Sequence, residues 1–187
     1  RLPIDRVFTI KGVGTVVTGT LWSGTLKTGA ELLALPGGIK PKVRGLEVHG
    51  QKAEKALAGQ RVAVNLANIG TQELKRGDAL ITPGSFFSDT RLDAQLELLE
   101  GLGFLKELKQ RQRVRLHLGT AEALCRVVLL EDQTLEPGKK GLVRLLLESP
   151  VVAAPNDRFV IRTYSPMVTI GGGEVIQLGS NLGRLRR

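Results

Sequence analysis

Residues 2–21 read Leu2-Pro3-Ile4-Asp5-Arg6-Val7-Phe8-Thr9-Ile10-Lys11-Gly12-Val13-Gly14-Thr15-Val16-Val17-Thr18-Gly19-Thr20-Leu21. Two runs rich in Val, Ile and Thr flank the glycine-containing stretch Lys11-Gly12-Val13-Gly14, the pattern of two strands joined by a tight turn. In the second run small polar and apolar residues alternate, as on a strand with one buried face. A phosphate-binding loop is excluded, because that loop needs Lys directly after its last glycine and Thr20 follows Gly19. The dinucleotide fingerprint fails too, since Val17 stands at its third glycine position.

The same alternation of short β-like runs and turns continues outward from this stretch. Runs at 31–35, 42–49, 61–69 and 79–82 are separated by Lys27-Thr28-Gly29, Pro36-Gly37-Gly38 and Arg76-Gly77-Asp78. The segment Pro83-Gly84-Ser85-Phe86-Phe87-Ser88-Asp89 interrupts the series, which places a domain boundary between residues 84 and 85. Runs then resume at 91–98, 113–118, 123–130, 141–148, 158–163, 167–170 and 174–177. The leucines at 98, 99, 102, 105 and 108 have a helical flavour, but Gly101 and Gly103 argue against a regular helix. No strand–helix alternation exists, so a doubly wound sheet is disfavoured. The expected fold is all-β, with two consecutive small antiparallel barrels at 1–84 and 85–187. Closure removes the exposed edges that so many short strands would otherwise leave.

Composition narrows the function classes. Of the 187 residues, 42% are hydrophobic and 24% charged, ordinary for a globular protein. No apolar run is long enough for a membrane-spanning helix, and the N-terminus lacks the apolar core of a signal peptide. The chain begins at Arg1 without an initiator Met, so it reads as a piece of a longer protein. A single cysteine, Cys125, cannot form an internal disulfide. Within the apolar run 124–130 it reads as a small buried hydrophobe. With two histidines, His49 and His117, a Cys/His zinc site is disfavoured. No serine–histidine–acid signature or general acid–base pair stands out, so this piece is not expected to be an enzyme.

Lys and Arg number 27 against 18 Asp and Glu, a net charge of +9 that points to a polyanionic partner, nucleic acid being the commonest. Aromatic residues make up 4%, too few for a single-strand stacking platform. Arg111, Arg113, Arg115 and His117 alternate with Gln112, Val114, Leu116 and Leu118, which puts the basic residues on one strand face. Adjacent like charges repel, so an anionic partner for this face is attractive, beside the plainer reading of a solvated face. Arg184, Arg186 and Arg187 add charge at the tail. Gly171-Gly172-Gly173 reads as a bulge or a close backbone approach rather than a phosphate nest.

The opening stretch, taken with Gly24-Thr25-Leu26-Lys27-Thr28-Gly29, Ala58-Gly59-Gln60-Arg61-Val62-Ala63 and Leu74-Lys75-Arg76-Gly77-Asp78, resembles the second domain of translational GTPases of the elongation factor Tu type. The second half is similar to the third domain of selenocysteine-specific elongation factors. The phrases that carry this are Val114-Arg115-Leu116-His117-Leu118-Gly119-Thr120-Ala121-Glu122, Asp157-Arg158-Phe159-Val160-Ile161-Arg162-Thr163-Tyr164-Ser165-Pro166 and Thr169-Ile170-Gly171-Gly172-Gly173-Glu174-Val175-Ile176.

The resemblance implies a pocket for the esterified amino acid on the first barrel. Relatives of the elongation factor Tu type carry an acidic pair after Leu-Pro-Ile and an Asn in the Ala-Gly-x-x-Val phrase. This chain has Asp5 followed by Arg6, and Arg61 in place of the Asn, the combination of selenocysteine-specific factors. Selenocysteine is largely an anionic selenolate at neutral pH, so two arginines would favour it over serine or cysteine. Asp5 would pair the α-amino group or hold an arginine in place. Surface ion pairing of Arg6 and Arg61 with Asp5 is the plainer alternative.

The resemblance further implies that Arg111, Arg113, Arg115 and His117 approach the tRNA backbone. It implies a GTPase domain before Arg1, which would bind GTP and Mg2+, no cofactor being expected in this piece itself. It implies winged-helix domains after Arg187 that bind the mRNA insertion element. The expected partners are selenocysteyl-tRNA, the ribosome and those two flanking parts, with no membrane, in the cytoplasm. The competing readings are the equivalent domains of another tRNA-carrying factor, or a barrel that relays the GTPase state to a protein partner.

Overall fold

The computed structural model describes residues 1–179; Arg184, Arg186 and Arg187 lie outside them. Among the described residues there is no α-helix, and a 3-10 turn at Thr71–Glu73 interrupts an otherwise all-β chain. Among the described residues no helix is long and apolar enough to cross a membrane. Two compact units divide at residues 87 and 88. That is three residues beyond the boundary expected from the Pro83-Gly84 break. The reason is local: Ser85 bonds back to the Thr82 carbonyl, and the Phe86 ring lies 4.8 Å from the Arg1 guanidinium, so both belong to the first unit.

The first unit contains β1 (Leu2–Pro3), β2 (Arg6–Ile10), β3 (Gly14–Thr20), β4 (Thr25–Lys27), β5 (Leu33–Leu35), β6 (Lys42–Val48), β7 (Gln51–Ala53), β8 (Lys55–Leu57), β9 (Arg61–Ala67) and β10 (Ala79–Ile81). They form a five-stranded sheet β2-β3-β9-β6-β7, a three-stranded sheet β1-β10-β5 and the pair β4-β8. All three enclose one core, with Leu2, Ile4, Val17, Val64 and Leu80 buried at its centre. The expected hairpin is present: β2 and β3 pair antiparallel from Arg6↔Thr18 to Ile10↔Gly14. Gly12 and Gly14 adopt φ of +80° and +101°, conformations that L side chains rarely take, which explains two glycines in one short turn.

The second unit is a closed barrel in the order β11-β16-β14-β13-β17-β18. Its strands are β11 (Phe87–Leu98), β12 (Leu108–Lys109), β13 (Gln112–Leu118), β14 (Ala121–Leu129), β15 (Thr134–Leu135), β16 (Lys140–Ala153), β17 (Arg158–Thr163) and β18 (Thr169–Leu178). Val114, Leu116, Cys125, Val127, Leu145 and Ile161 fill its interior. Burial pushes the Cys125 thiol up to about 12, which keeps it a neutral hydrophobe. The leucine-rich stretch around Gly101 and Gly103 is a loop that returns Leu105 and Leu108 to the core.

One expectation changes. Residues 169–170 of the first run and all of the run at 174–177 belong to one strand, β18, which passes through the glycines unbroken. A Cβ on Gly173 would sit 1.9 Å from the Gln95 carbonyl oxygen, and one on Gly171 2.5 Å from that of Glu97. The glycines therefore mark a close backbone approach between β18 and β11.

Candidate aminoacyl site and basic barrel face

Asp5 lies between β1 and β2. Ile4 before it is fully buried and donates its amide to the Asp78 carbonyl at 2.8 Å. Asp5 itself donates its amide to the Thr18 carbonyl at 2.9 Å. Cross-strand pairing sets Arg6 opposite Thr18, Thr18 opposite Ala63 and Ala63 opposite Glu47. By the period of two, Arg61 shares the face of Ala63. One sheet face thus gathers Arg6, Thr18, Arg61 and Glu47.

The structure brings Asp5 and Arg61 together. Arg61 donates from Nη1 to Asp5 Oδ2 at 2.5 Å and from Nη2 to Oδ1 at 3.2 Å, while Thr18 Oγ1 donates to Oδ1 at 2.6 Å. Burial pushes the Asp5 carboxyl up, but the hydrogen bonds from Arg61 and Thr18 and the charges of Arg61 and Arg6 outweigh it and hold the carboxyl below its ordinary range. The same bond and charge raise Arg61. Asp5 therefore holds an arginine in place. Two of the five guanidinium N–H donors are used, and Arg61 stays 55% exposed, so its remaining donors are available to a further acceptor. Arg6 is exposed on the same face and forms no hydrogen bond or ion pair among the described residues.

Arg61 lines one concavity, and a second lies beside that one. The first, shallow and of about 260 Å³, is lined by Thr18, Glu47, His49, Arg61 and Ala63, with Asp5 and Arg6 outside its lining. His49 and Gly50 form the β6–β7 turn with positive φ, and both belong to the lining. The sequence alone did not single out His49 or Glu47, and only their cross-strand position reveals them. A larger groove of about 570 Å³ shares Ala63 and Glu47 and runs over Phe8, Ile10, Val13 and Val16. Phe8 and Ile10 are exposed apolar side chains, and Asn65 Oδ1 is buried without a partner. The signal for this groove is Phe8 and Ile10, which follow Arg6 on one exposed face of β2.

On the second barrel, Arg113, Arg115 and His117 project from β13 opposite the buried Val114, Leu116 and Leu118. Arg111 does not join that face, because it adopts φ +61° in the turn before the strand. The repulsion expected among unpaired charges is also absent. Arg113 donates from Nε and Nη2 to Glu148 at 2.8 and 2.7 Å, and Arg115 donates from Nη1 to Glu122 at 2.5 Å. Both guanidinium groups flank the Tyr164 ring, at 4.8 and 5.4 Å from its centroid. Burial lowers His117, with Glu122 Oε2 3.9 Å from Nδ1 opposing that shift. No cluster of three or more His, Cys, Asp or Glu side chains suited to a metal occurs among the described residues.

Residues 14–81 match the family model described as elongation factor Tu domain 2, and residues 90–181 match that of the selenocysteine-specific elongation factor, beta-barrel domain. The selenocysteine-specific elongation factor of Desulfomicrobium baculatum is 42% identical over 94% of this chain, and that of Escherichia coli (strain K12) is 38% identical over 95%. The chain belongs to the selenocysteine-specific elongation factor family. Elongation factor Tu 2 of Streptomyces avermitilis is 32% identical over 93% of the chain. This chain spans 27% of the length of the first two relatives and 45% of the third. It carries barrel domains of a translation elongation factor, the second described unit closing into a six-stranded barrel and the first wrapping antiparallel sheets around one core.

Proposed function

We propose that the first barrel holds the aminoacyl end of selenocysteyl-tRNA, and that the factor carrying this chain delivers it to the ribosome at UGA codons in a GTP-dependent manner. The observation that carries the reading is the Arg61 guanidinium, fixed by Asp5 at the lip of a concavity, with Arg6 beside it on the same face. A selenolate is an anionic acceptor, and the free N–H donors of Arg61 and Arg6 suit it. A serine hydroxyl or a protonated thiol offers no charge to either. A charge-assisted contact of this kind contributes about 1.5–3 kcal/mol, which gives roughly tenfold to a hundredfold discrimination.

The apolar groove next to it suits the terminal base of the acceptor end. A base has flat apolar faces for Phe8, Ile10 and Val16, and an exocyclic amine would satisfy the partnerless Asn65 Oδ1. GTP and Mg2+ belong in this reading to a domain outside the chain, and delivery would take place in the cytoplasm.

The test uses the full-length factor with Arg61→Asn and compares affinity for selenocysteyl-, cysteinyl- and seryl-tRNA. The preference for selenocysteine is expected to fall by about tenfold or more. Unchanged discrimination would remove Arg61 from the site.

A further inference from the structure

We propose that Thr18 is a positioning residue of the aminoacyl site, whose hydroxyl fixes Asp5 so that Asp5 can present the Arg61 guanidinium in one orientation. The inference rests on the pocket reading above and names a residue of the concavity that acts through Asp5.

Thr18 lies on β3, a central strand paired with β2 on one side and β9 on the other. It meets Asp5 twice: its carbonyl accepts the Asp5 amide at 2.9 Å, and its Oγ1 donates to Asp5 Oδ1 at 2.6 Å. The neighbouring residue clamps the same segment, since a Cβ on Gly19 would come 2.2 Å from the Pro3 carbonyl oxygen. The chain from Leu2 to Asp5 is thus pressed onto β3, and the Asp5 carboxylate is tied at both its main chain and its side chain.

Arg61 has no comparable support. Its side chain is 55% exposed and is held by the two hydrogen bonds to Asp5. A long exposed arginine samples many rotamers, so its direction comes from the carboxylate that grips it. Discrimination among selenolate, thiol and hydroxyl depends on a short, aligned N–H donor, and a loosened donor loses that advantage first. Nothing in the strand itself calls for a hydroxyl at position 18. The two preceding residues are Val16 and Val17, and a valine at 18 would suit a central strand equally.

The experiment compares Thr18→Val, Thr18→Ser and Arg61→Asn in the full-length factor. Affinity for selenocysteyl-, cysteinyl- and seryl-tRNA is measured alongside thermal melting, and the Asp5 carboxyl is titrated by NMR in this chain. Thr18→Val is expected to lower the preference for selenocysteine roughly fivefold, part of what a hydrogen bond to an ionised group contributes. Its melting midpoint should stay within about 2 °C of the parent, as for a near-isosteric partly exposed substitution. Thr18→Ser is expected to keep both the preference and the titration, and Thr18→Val to move the Asp5 carboxyl upward. A Thr18→Val factor that keeps its preference while Arg61→Asn loses it overturns the positioning role alone. Retention by both variants overturns the pocket reading, and this inference with it.

Discussion

Arg61 reaches Asp5 across 56 residues of chain and engages it with both terminal nitrogens, Nη1 at 2.5 Å and Nη2 at 3.2 Å. With the arginine more than half exposed, this pair orients more than it stabilises. The Asp5→Asn variant should therefore lose less than about 1 kcal/mol of folding stability, as exposed ion pairs do. In the full-length factor the same variant should lose selectivity for selenocysteyl-tRNA by several-fold, because Arg61 is no longer held. Melting curves and tRNA affinities, measured on one preparation, separate the two effects. A large melting shift with intact selectivity would make Asp5 a structural residue.

A second carboxylate, Asp93, contributes to pH dependence. Hydrogen bonds from Arg144 hold the Asp93 carboxyl below its ordinary range against the upward push of burial, with Gln177 and nearby arginine charge helping. Arg144 donates to both Asp93 oxygens at 2.7 and 2.9 Å. The unfolded chain thus takes up this proton at higher pH than the folded one. The stabilisation is complete above the ordinary Asp value of about 4 and is lost as pH falls through the lower folded value. Hydrogen exchange of β14 and β16 amides should show protection falling below about pH 4. Asp93→Asn should flatten that dependence and lower protection at neutral pH by about 2 kcal/mol, the exposure of Arg144 keeping the loss moderate.

The glycines of β18 give a steric prediction. Gly173→Ala would force a methyl group to within 1.9 Å of the Gln95 carbonyl oxygen, so β18 and β11 must separate. The expected cost is about 3 kcal/mol or more, or failure to fold. Gly103→Ala is the control, since its Cβ meets nothing within 4 Å. It should change stability by no more than about 0.5 kcal/mol. Denaturant titration of both variants is the measurement. Equal stability would show that the strands yield without cost.

These positions mark how far the sequence was legible. The β2–β3 hairpin could be read from Gly12 and Gly14, because turn chemistry is local. The glycines at 171–173 were legible as a bulge or close backbone approach, and the close approach is present, but the runs on either side read as separate strands whereas β18 runs through them. The strand opposite, not the local sequence, is what demands them. Arg6 and Arg61 drew notice through resemblance, but the grip of Asp5 on Arg61 joins β-strand ends 56 residues apart. No spacing rule predicts that contact. The basic strand face was read from alternation, and its acids were missed, since Glu148 lies 35 residues from Arg113. Arg111 fell out of register because a left-handed turn precedes β13.

That paired face leads to the last prediction. Glu148 and Glu122 occupy donors of Arg113 and Arg115 that would otherwise meet phosphates. The three basic residues on β13 therefore attract RNA less than their number suggests. Glu148→Gln and Glu122→Gln each remove one negative charge and leave the guanidinium in place beside Tyr164. If this face meets the tRNA backbone, each change should raise tRNA affinity of the full-length factor several-fold at low salt. It should also steepen the dependence of log affinity on log salt by up to about one unit per acid removed. Arg113→Ala should act in the opposite direction on both quantities. Binding isotherms across a salt series read affinity and slope together. Acid variants that leave both unchanged would place the tRNA elsewhere and mark the Arg113–Glu148 and Arg115–Glu122 pairs as struts of the barrel wall.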